Sequence, residues 1–334
     1  YLARTNSETL KIIRANKERS PMYNGQIKAV GARYCPSIED KAYRYPDKDI
    51  HHVFIEPEGL NLKTMYPSGI SSSLPKEVQH AFIQSIDGLE KAEIDTYGYA
   101  VEYDVVDTTC LKLTLEHKEF EGLYFAGQVN GTSGYEEAAG QGLVAGLNAA
   151  LAFLKKDPVI FSRKNSYIGV MIEDLVSNVR DEPYRLFTAR SENRLYIRED
   201  NSIDRMWSYR TKFELNQPLD KYAPKYLFEK SILLQFCKSF SFKRTASHFE
   251  LTSLKDFYNY ENNITLADLL KDPTLDPIVV LNEILEHYQI SFAKNIIKSV
   301  AIECKYLGYI VRFDQQNERV NKLDSVKIKW QKIP

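Results

Sequence analysis

Apolar residues four apart at Val78, Phe82 and Ile86, with Pro75 ahead of them, predict a helix over Pro75 to Ile86. The runs His52-Val53-Phe54-Ile55 and Tyr99-Ala100-Val101-Glu102-Tyr103 predict strands. The short apolar run Leu123-Tyr124-Phe125-Ala126 predicts a buried strand, and Gly134 to Leu154 a helix whose small residues permit close packing on a sheet. Lys155-Lys156-Asp157-Pro158 ends that helix, since proline cannot continue it. Amphipathic helices follow at Tyr167 to Val176, Leu266 to Leu270 and Val279 to Val311, the last from Leu281, Ile284, Leu285 and Tyr288. Helices are also expected within residues 211 to 262.

Glycine sharpens this division. Of 15 glycines, 14 lie at or before Gly169 and one, Gly308, after it. Glycine serves turns and close backbone approach, so a turn-rich α/β first part precedes a mainly helical second part. The 334 residues carry 44 Lys+Arg against 45 Asp+Glu, a net charge of −1. That balance excludes nucleic-acid binding through bulk positive charge but leaves room for a local basic patch. Mean hydropathy is −0.39, and no run reaches the ~18 apolar residues of a membrane span. Cys35, Cys110, Cys237 and Cys304 form no CxxC or Cys/His cluster, which argues against structural zinc and suits a reducing compartment. The chain opens without Met, so a fragment or processed product is expected.

Three segments carry candidate chemistry. In Phe125-Ala126-Gly127-Gln128-Val129-Asn130-Gly131-Thr132-Ser133-Gly134-Tyr135-Glu136 a glycine-spaced loop feeds a helix start. Such a loop turns backbone N–H groups and a positive helix end toward an electron-rich ligand such as a flavin ring. It serves equally as a ligand-free turn, and the chain contains no GxGxxG phosphate cradle. Second, Cys35 lies near Arg33 and Lys41. Neighbouring positive charge favours a thiolate nucleophile; the alternative is a buried inert thiol. Third, Arg190, Arg194 and Arg198 are four apart, with Tyr184 and Tyr196 nearby. On one helical face they would hold RNA phosphates. Otherwise Glu192, Glu199 and Asp200 neutralise a solvated face.

These segments occur in order with Arg19 to Tyr23, Gly31 to Lys41, Met65 to Pro75, Gly98 to Asp104 and Lys305 to Ile310. Together they resemble the GidA/MnmG family of FAD-dependent enzymes that install a carboxymethylaminomethyl group on tRNA uridine. The resemblance implies an α/β flavoprotein-type fold: an α/β second domain (1–100), the C-terminal part of the FAD-binding domain (101–157) and a mainly α-helical tRNA-binding domain (158–334). It implies FAD contacts from Gly127, Gln128, Asn130, Gly131, Thr132, Gly134, Tyr135 and Glu136. An NAD segment falls on Gly31, Ala32, Arg33, Tyr34, Cys35, Pro36, Ser37, Ile38, Glu39, Asp40, Lys41, Ala42, Tyr43, Arg44 and Tyr45. Cys35 matches a cysteine considered for attack on the uracil ring. Arg185, Arg190 and Arg194 match tRNA-binding positions, and Arg198 continues the row. Also implied are NADH as electron donor, a folate-derived one-carbon unit, an MnmE-type GTPase partner and a homodimer, with neither DNA nor membrane as a partner. The compartment would be bacterial cytoplasm or the mitochondrial matrix. The family's N-terminal dinucleotide-binding half and its terminal helical region are absent from the sequence. Two alternatives are the related folate- and FAD-dependent tRNA uracil methyltransferase and a non-catalytic RNA- or partner-binding fragment.

Overall fold

Backbone capping starts the first helix. Asn6 stops the strand before it, and its Oδ1 accepts the Thr9 N–H at 2.9 Å. In the computed structural model, described for residues 1–27, 36–179, 182–210, 218–242, 251–254 and 263–324, contacts divide the chain into two units. The first comprises Tyr1–Pro158 with Ile172–Leu186, and the second Val159–Met171 with Phe187–Pro334.

In the first unit, β1 (Leu2–Arg4), β2 (His52–Pro57) and β3 (Met65–Ser68) form an antiparallel sheet in the order β1-β2-β3. Ala3 faces Val53, and Phe54 faces Ser68. Three helices flank the sheet in sequence: α1 (Ser7–Ala15), α2 (Ile38–Arg44) and α3 (Lys76–Gln84). Leu10 and Ile13 of α1, Ile38 of α2, Val53, and Val78 and Phe82 of α3 share one core. Leu10 and Ile13, like Val78 and Phe82, are three or four residues apart, the spacing that lets a helix bury one face. α4 (Tyr135–Phe153) follows as the longest helix of this part. Lys155, at φ 53, turns the chain out of it.

Several expectations change here. Tyr99 to Tyr103 forms no strand, and Tyr99 is 72% exposed. Leu123 to Ala126 is not a buried strand: Leu123 is exposed, and only a single bridge joins Tyr124 to Glu116. An apolar run becomes a strand when neighbours pair with it, and these two runs lack that ladder. Pro75 holds the N-cap position of α3, with no side-chain cap bond.

α5 (Tyr167–Ser177) lies across the division. In the second unit come α6 (Ser202–Arg210), α7 (Pro218–Ser239), the strand pair β4 (Ser241–Phe242) and β5 (Ile264–Thr265), α8 (Leu266–Leu269), α9 (Pro277–His287) and α10 (Lys294–Asp324). Leu233, Leu266, Leu269, Leu281, Ile284 and Val300 are fully buried in its core. The stretch expected as one helix over Val279 to Val311 is two. Gln289 takes φ 54, and the Ile290 N–H closes on the Leu285 carbonyl at 2.9 Å. That left-handed closure ends α9. Asp276 caps the start of α9, its Oδ1 accepting the Ile278 and Val279 N–H groups at 2.9 and 3.2 Å. No helix among the described residues is long and apolar enough to cross a membrane.

Candidate functional site

The bend ahead of α4 is held by a buried polar knot. Gly127 (φ 84) and Gly131 (φ 72) occupy the left-handed region, where a side chain would be strained. Gln141, nearly two turns into α4 and fully buried, organises both ends. Its Oε1 accepts the Gly127 N–H at 3.1 Å and the Asn130 Nδ2–H at 2.8 Å. Its Nε2 donates to Thr132 Oγ1 at 2.9 Å, which in turn donates to the Gly127 carbonyl at 2.9 Å. Asn130 Nδ2 also reaches the Phe125 carbonyl at 3.0 Å. Asn130 and Thr132 are buried and hold the loop, and the amides of Gly127 and Gly131 point inward, the latter donating to the Gln128 carbonyl. Those two amides are therefore occupied within the bend.

What faces outward is different. Gln128, Tyr135 and Glu136 are exposed, and Tyr135 is 93% so. Among the described residues, no hydrogen bond occupies the amides of Tyr135 and Glu136 at the positive end of α4. Three buried polar atoms, Asn130 Oδ1, Ser133 Oγ and Glu137 Oε2, have no hydrogen-bond partner among the described residues. Such atoms are uncommon in a finished interior. The outward groups, Gln128 and the open amides at the start of α4, suit contact with the polar edge of a ring such as a flavin.

Glu137 was not singled out by the sequence reading. Its side chain folds back over Gly134, where a Cβ would collide with the carboxylate. Glu137 Oε1 accepts the Leu186 N–H at 2.9 Å and pairs with Arg185 Nε at 3.3 Å. Beside it, the Tyr184 N–H donates to the Gly131 carbonyl at 2.8 Å. Arg185 thus braces the bend. The signal for Glu137 and Gln141 lay in the sequence: polar residues at helical spacing on the buried face of an Ala- and Gly-rich helix.

Of the NAD segment, Gly31, Ala32, Arg33, Tyr34 and Cys35 lie outside the described residues. Ser37 caps α2 in a reciprocal box with Asp40, donating and accepting at 3.0 and 3.1 Å. Asp40 Oδ1 accepts the Tyr23 hydroxyl at 2.6 Å. Burial, then this bond, pushes the Tyr23 phenol well above its ordinary value. Burial and the nearby Glu39 carboxylate push Tyr43 up to about 12. Lys17 sits over both rings, 5.3 and 5.0 Å from their centres. Lys41 Nζ donates to the Gly69 carbonyl at 2.7 Å. Glu39 is fully buried and accepts Ser72 Oγ and the Ser73 N–H at 3.1 and 2.8 Å. Ile38 and Ala42 are core, whereas Pro36, Arg44 and Tyr45 are exposed.

The arginine row does not lie on a helix. Thr188–Arg190 is a single tight turn, and turns follow to Asp200. Arg198 pairs with Asp200 at 2.8 Å, donates to the Leu195 carbonyl at 2.7 Å and stacks over Tyr306. Its side chain is only 11% exposed. Glu192 binds Arg163 at 2.8 Å, and this bond, ahead of other effects, holds its carboxyl below the usual range. Arg163 also donates to the Arg190 carbonyl at 2.9 Å. Arg194 is exposed and makes no ion pair among the described residues. Of Arg190, Arg194 and Arg198, Arg194 is the exposed one; the other two are partly buried.

The family model described as "Glucose inhibited division protein A" matches residues 1–157. The chain is 43% identical over 335 residues to the tRNA uridine 5-carboxymethylaminomethyl modification enzyme MnmG of Syntrophotalea carbinolica, covering 98% of this chain and 52% of that protein. It is 44% identical to MnmG of Geotalea uraniireducens over 330 residues, again 98% of this chain and 52% of the relative. GidA of Aquifex aeolicus in its form II crystal superposes with a TM-score of 0.76 at 39% identity, covering all of this chain and 51% of that one. The chain thus spans about half the length of the curated relatives it matches.

Proposed function

The chain belongs to the GidA/MnmG family, and from that premise we propose that it is the part of a tRNA-modifying flavoenzyme that contacts the flavin ring and the RNA. The reaction is addition of a carboxymethylaminomethyl or aminomethyl group at carbon 5 of the wobble uridine. FAD supplies the redox chemistry when bound. Gln128 and the first turn of α4 would hold its ring, with Asn130, Thr132, Gln141 and Glu137 fixing the bend that presents them. Residues 31–45 would take NADH, and Cys35 would add to the uracil ring, raising electron density at carbon 5. The α/β second domain, the flavoprotein portion and the helical tRNA domain are assigned on the same footing, as are a homodimer, an MnmE-type GTPase partner and a folate-derived one-carbon donor.

The observation that carries this reading is the bend: two left-handed glycines, a buried knot inside, and Gln128 beside a helix start outside. Two variants of the complete protein test it. Gln128→Ala should lower flavin retention, read from visible absorbance, while leaving thermal unfolding close to the parent. Cys35→Ala should abolish the modified nucleoside in tRNA, read by mass spectrometry, while tRNA binding persists. Full flavin retention in the first and normal modification in the second would together refute the proposal.

A further inference from the structure

The second unit contains a cleft of about 420 Å³ that neither the bend nor the arginine row uses. Ser162, Lys164 and Asn165 form one wall, Asn193 and Tyr196 a second, and Phe313, Asp314 and Glu318 of α10 the third. Its volume suits a small ring system.

The walls are pre-set. Arg205 ties them together, bonding the carbonyls of Asn165 and Arg198 and the side chain of Asn201. The Asn193 carbonyl accepts the Tyr196 and Ile197 N–H groups at 2.8 and 3.0 Å. The Ser162 N–H donates to Tyr209 Oη, which donates onward to Asn165 Oδ1, at 3.0 and 3.1 Å. Gly169 packs so closely on Ser162 that a Cβ there would collide with its backbone.

Against this fixed frame, several polar groups lack partners. Asn193 is only 5% exposed, yet its side-chain amide makes no hydrogen bond among the described residues. Asn165 Nδ2 and the Tyr196 hydroxyl are likewise unbonded among the described residues. Burial, with the Asp314 carboxylate next, raises the Tyr196 phenol, so it remains a neutral hydroxyl. None of these atoms is among the buried polar atoms left without a partner, so each stays open to solvent and can bond a ligand that enters the cleft.

The chemistry narrows the occupant. Asp314 and Glu318 disfavour a phosphate inside and accept N–H donors. Among the described residues no group of three or more potential ligands could hold a metal. Tyr196 and Phe313 supply ring faces. Lys164 puts a cation in the cleft wall. Aromatic faces, amide groups that read a base edge and flanking cations are how proteins take single-stranded RNA.

We propose that the cleft walled by Asn193, Tyr196 and Phe313 is a subsite for one unstacked nucleobase of tRNA that presents N–H donors, separate from the flavin-facing bend. The inference rests on the reading that tRNA is the substrate. The base stacks on Tyr196 or Phe313, the Asn193 amide and the α10 carboxylates read its edge, and the flanking phosphate stays outside.

The test uses the 334-residue chain, transcribed tRNA and anisotropy at several salt concentrations. Tyr196→Ala should weaken binding about tenfold, as loss of one base stack does, with the salt slope unchanged. Tyr196→Phe should bind like the parent. Asn193→Ala should also weaken binding without altering the slope. Ultraviolet cross-linking of the parent chain should mark peptides bearing Tyr196 or Phe313, an outcome that does not depend on any variant folding. Parent-like binding by both alanine variants, with cross-links only elsewhere, overturns the subsite while the tRNA reading stands. Free guanosine saturating the cleft while tRNA binding ignores the variants identifies a free nucleoside as occupant and overturns it too. A parent chain that does not bind tRNA at all removes both.

Discussion

At the scale of single residues, the bend depends on Gln141 more than on any glycine. One side chain accepts from Gly127 and Asn130 and donates to Thr132, all three buried. Gln141→Leu keeps the apolar volume but leaves two buried donors without their acceptor. Each such orphan costs about 1–3 kcal/mol. The urea midpoint should therefore fall by the equivalent of about 2 kcal/mol or more, and an unchanged midpoint would mean that the knot relaxes into other bonds. The arginines divide by the same reasoning. Arg198 is half of an inward ion pair, whereas Arg194 is open to solvent. Arg194→Ala should flatten the salt dependence of tRNA binding by about one phosphate contact. Arg198→Ala should leave the slope alone and lower stability. The sequence suggested both as phosphate ligands because their spacing fitted a helix. The chain instead forms turns there, and proximity of opposite charge decided each fate. Exposed Arg194 was legible as a type of residue; its separation from Arg198 was not.

At the scale of elements, helices with a clean apolar stripe were legible and runs that needed a partner were not. α3 and α5 lie close to the expected spans because helix bonds are local. Tyr99 to Tyr103 reads as a strand only if another strand accepts it. Small residues in α4 suggested close packing, yet a Cβ on Gly142 or Gly146 would meet nothing within 4 Å among the described residues. No local pattern marked the ion triad that joins α6, α7 and α10. Lys230 Nζ sits 2.8 Å from both Asp204 and Glu303, with 5% of its side chain exposed. Burial pulls its pKa down, but Glu303 and Asp204 outweigh that and hold the ammonium above its ordinary value. The group's folded pKa therefore exceeds its unfolded one, near 10.4. Its contribution is complete below about pH 10.4 and is lost as pH rises through the folded value. Lys230→Met should cost about 3–5 kcal/mol at neutral pH by stranding two carboxylates. The same variant should also lose the alkaline fall in stability that the parent shows in urea titrations at rising pH. A parent with flat stability past that pH would contradict the triad.

At the scale of the whole molecule, the flavin ring and the rest of FAD make different demands. In the proposed reading, the exposed Gln128 and the start of α4 would meet the ring. A dinucleotide pyrophosphate needs a glycine-rich turn after a strand and before a helix, and these 334 residues contain no GxGxxG. The ring-contacting end and the phosphate-gripping end of the cofactor are therefore separable here by chemistry. For this chain alone, riboflavin and FAD should bind with similar, weak affinity, since the adenosine diphosphate half adds no contacts. Equilibrium dialysis with each ligand measures the ratio. A ratio near one, with both lost on Gln128→Ala, places all of this chain's flavin affinity in the ring contact. FAD bound tenfold tighter than riboflavin, about 1.4 kcal/mol, would instead require a phosphate site within these residues, and the division of labour argued from the bend would fail.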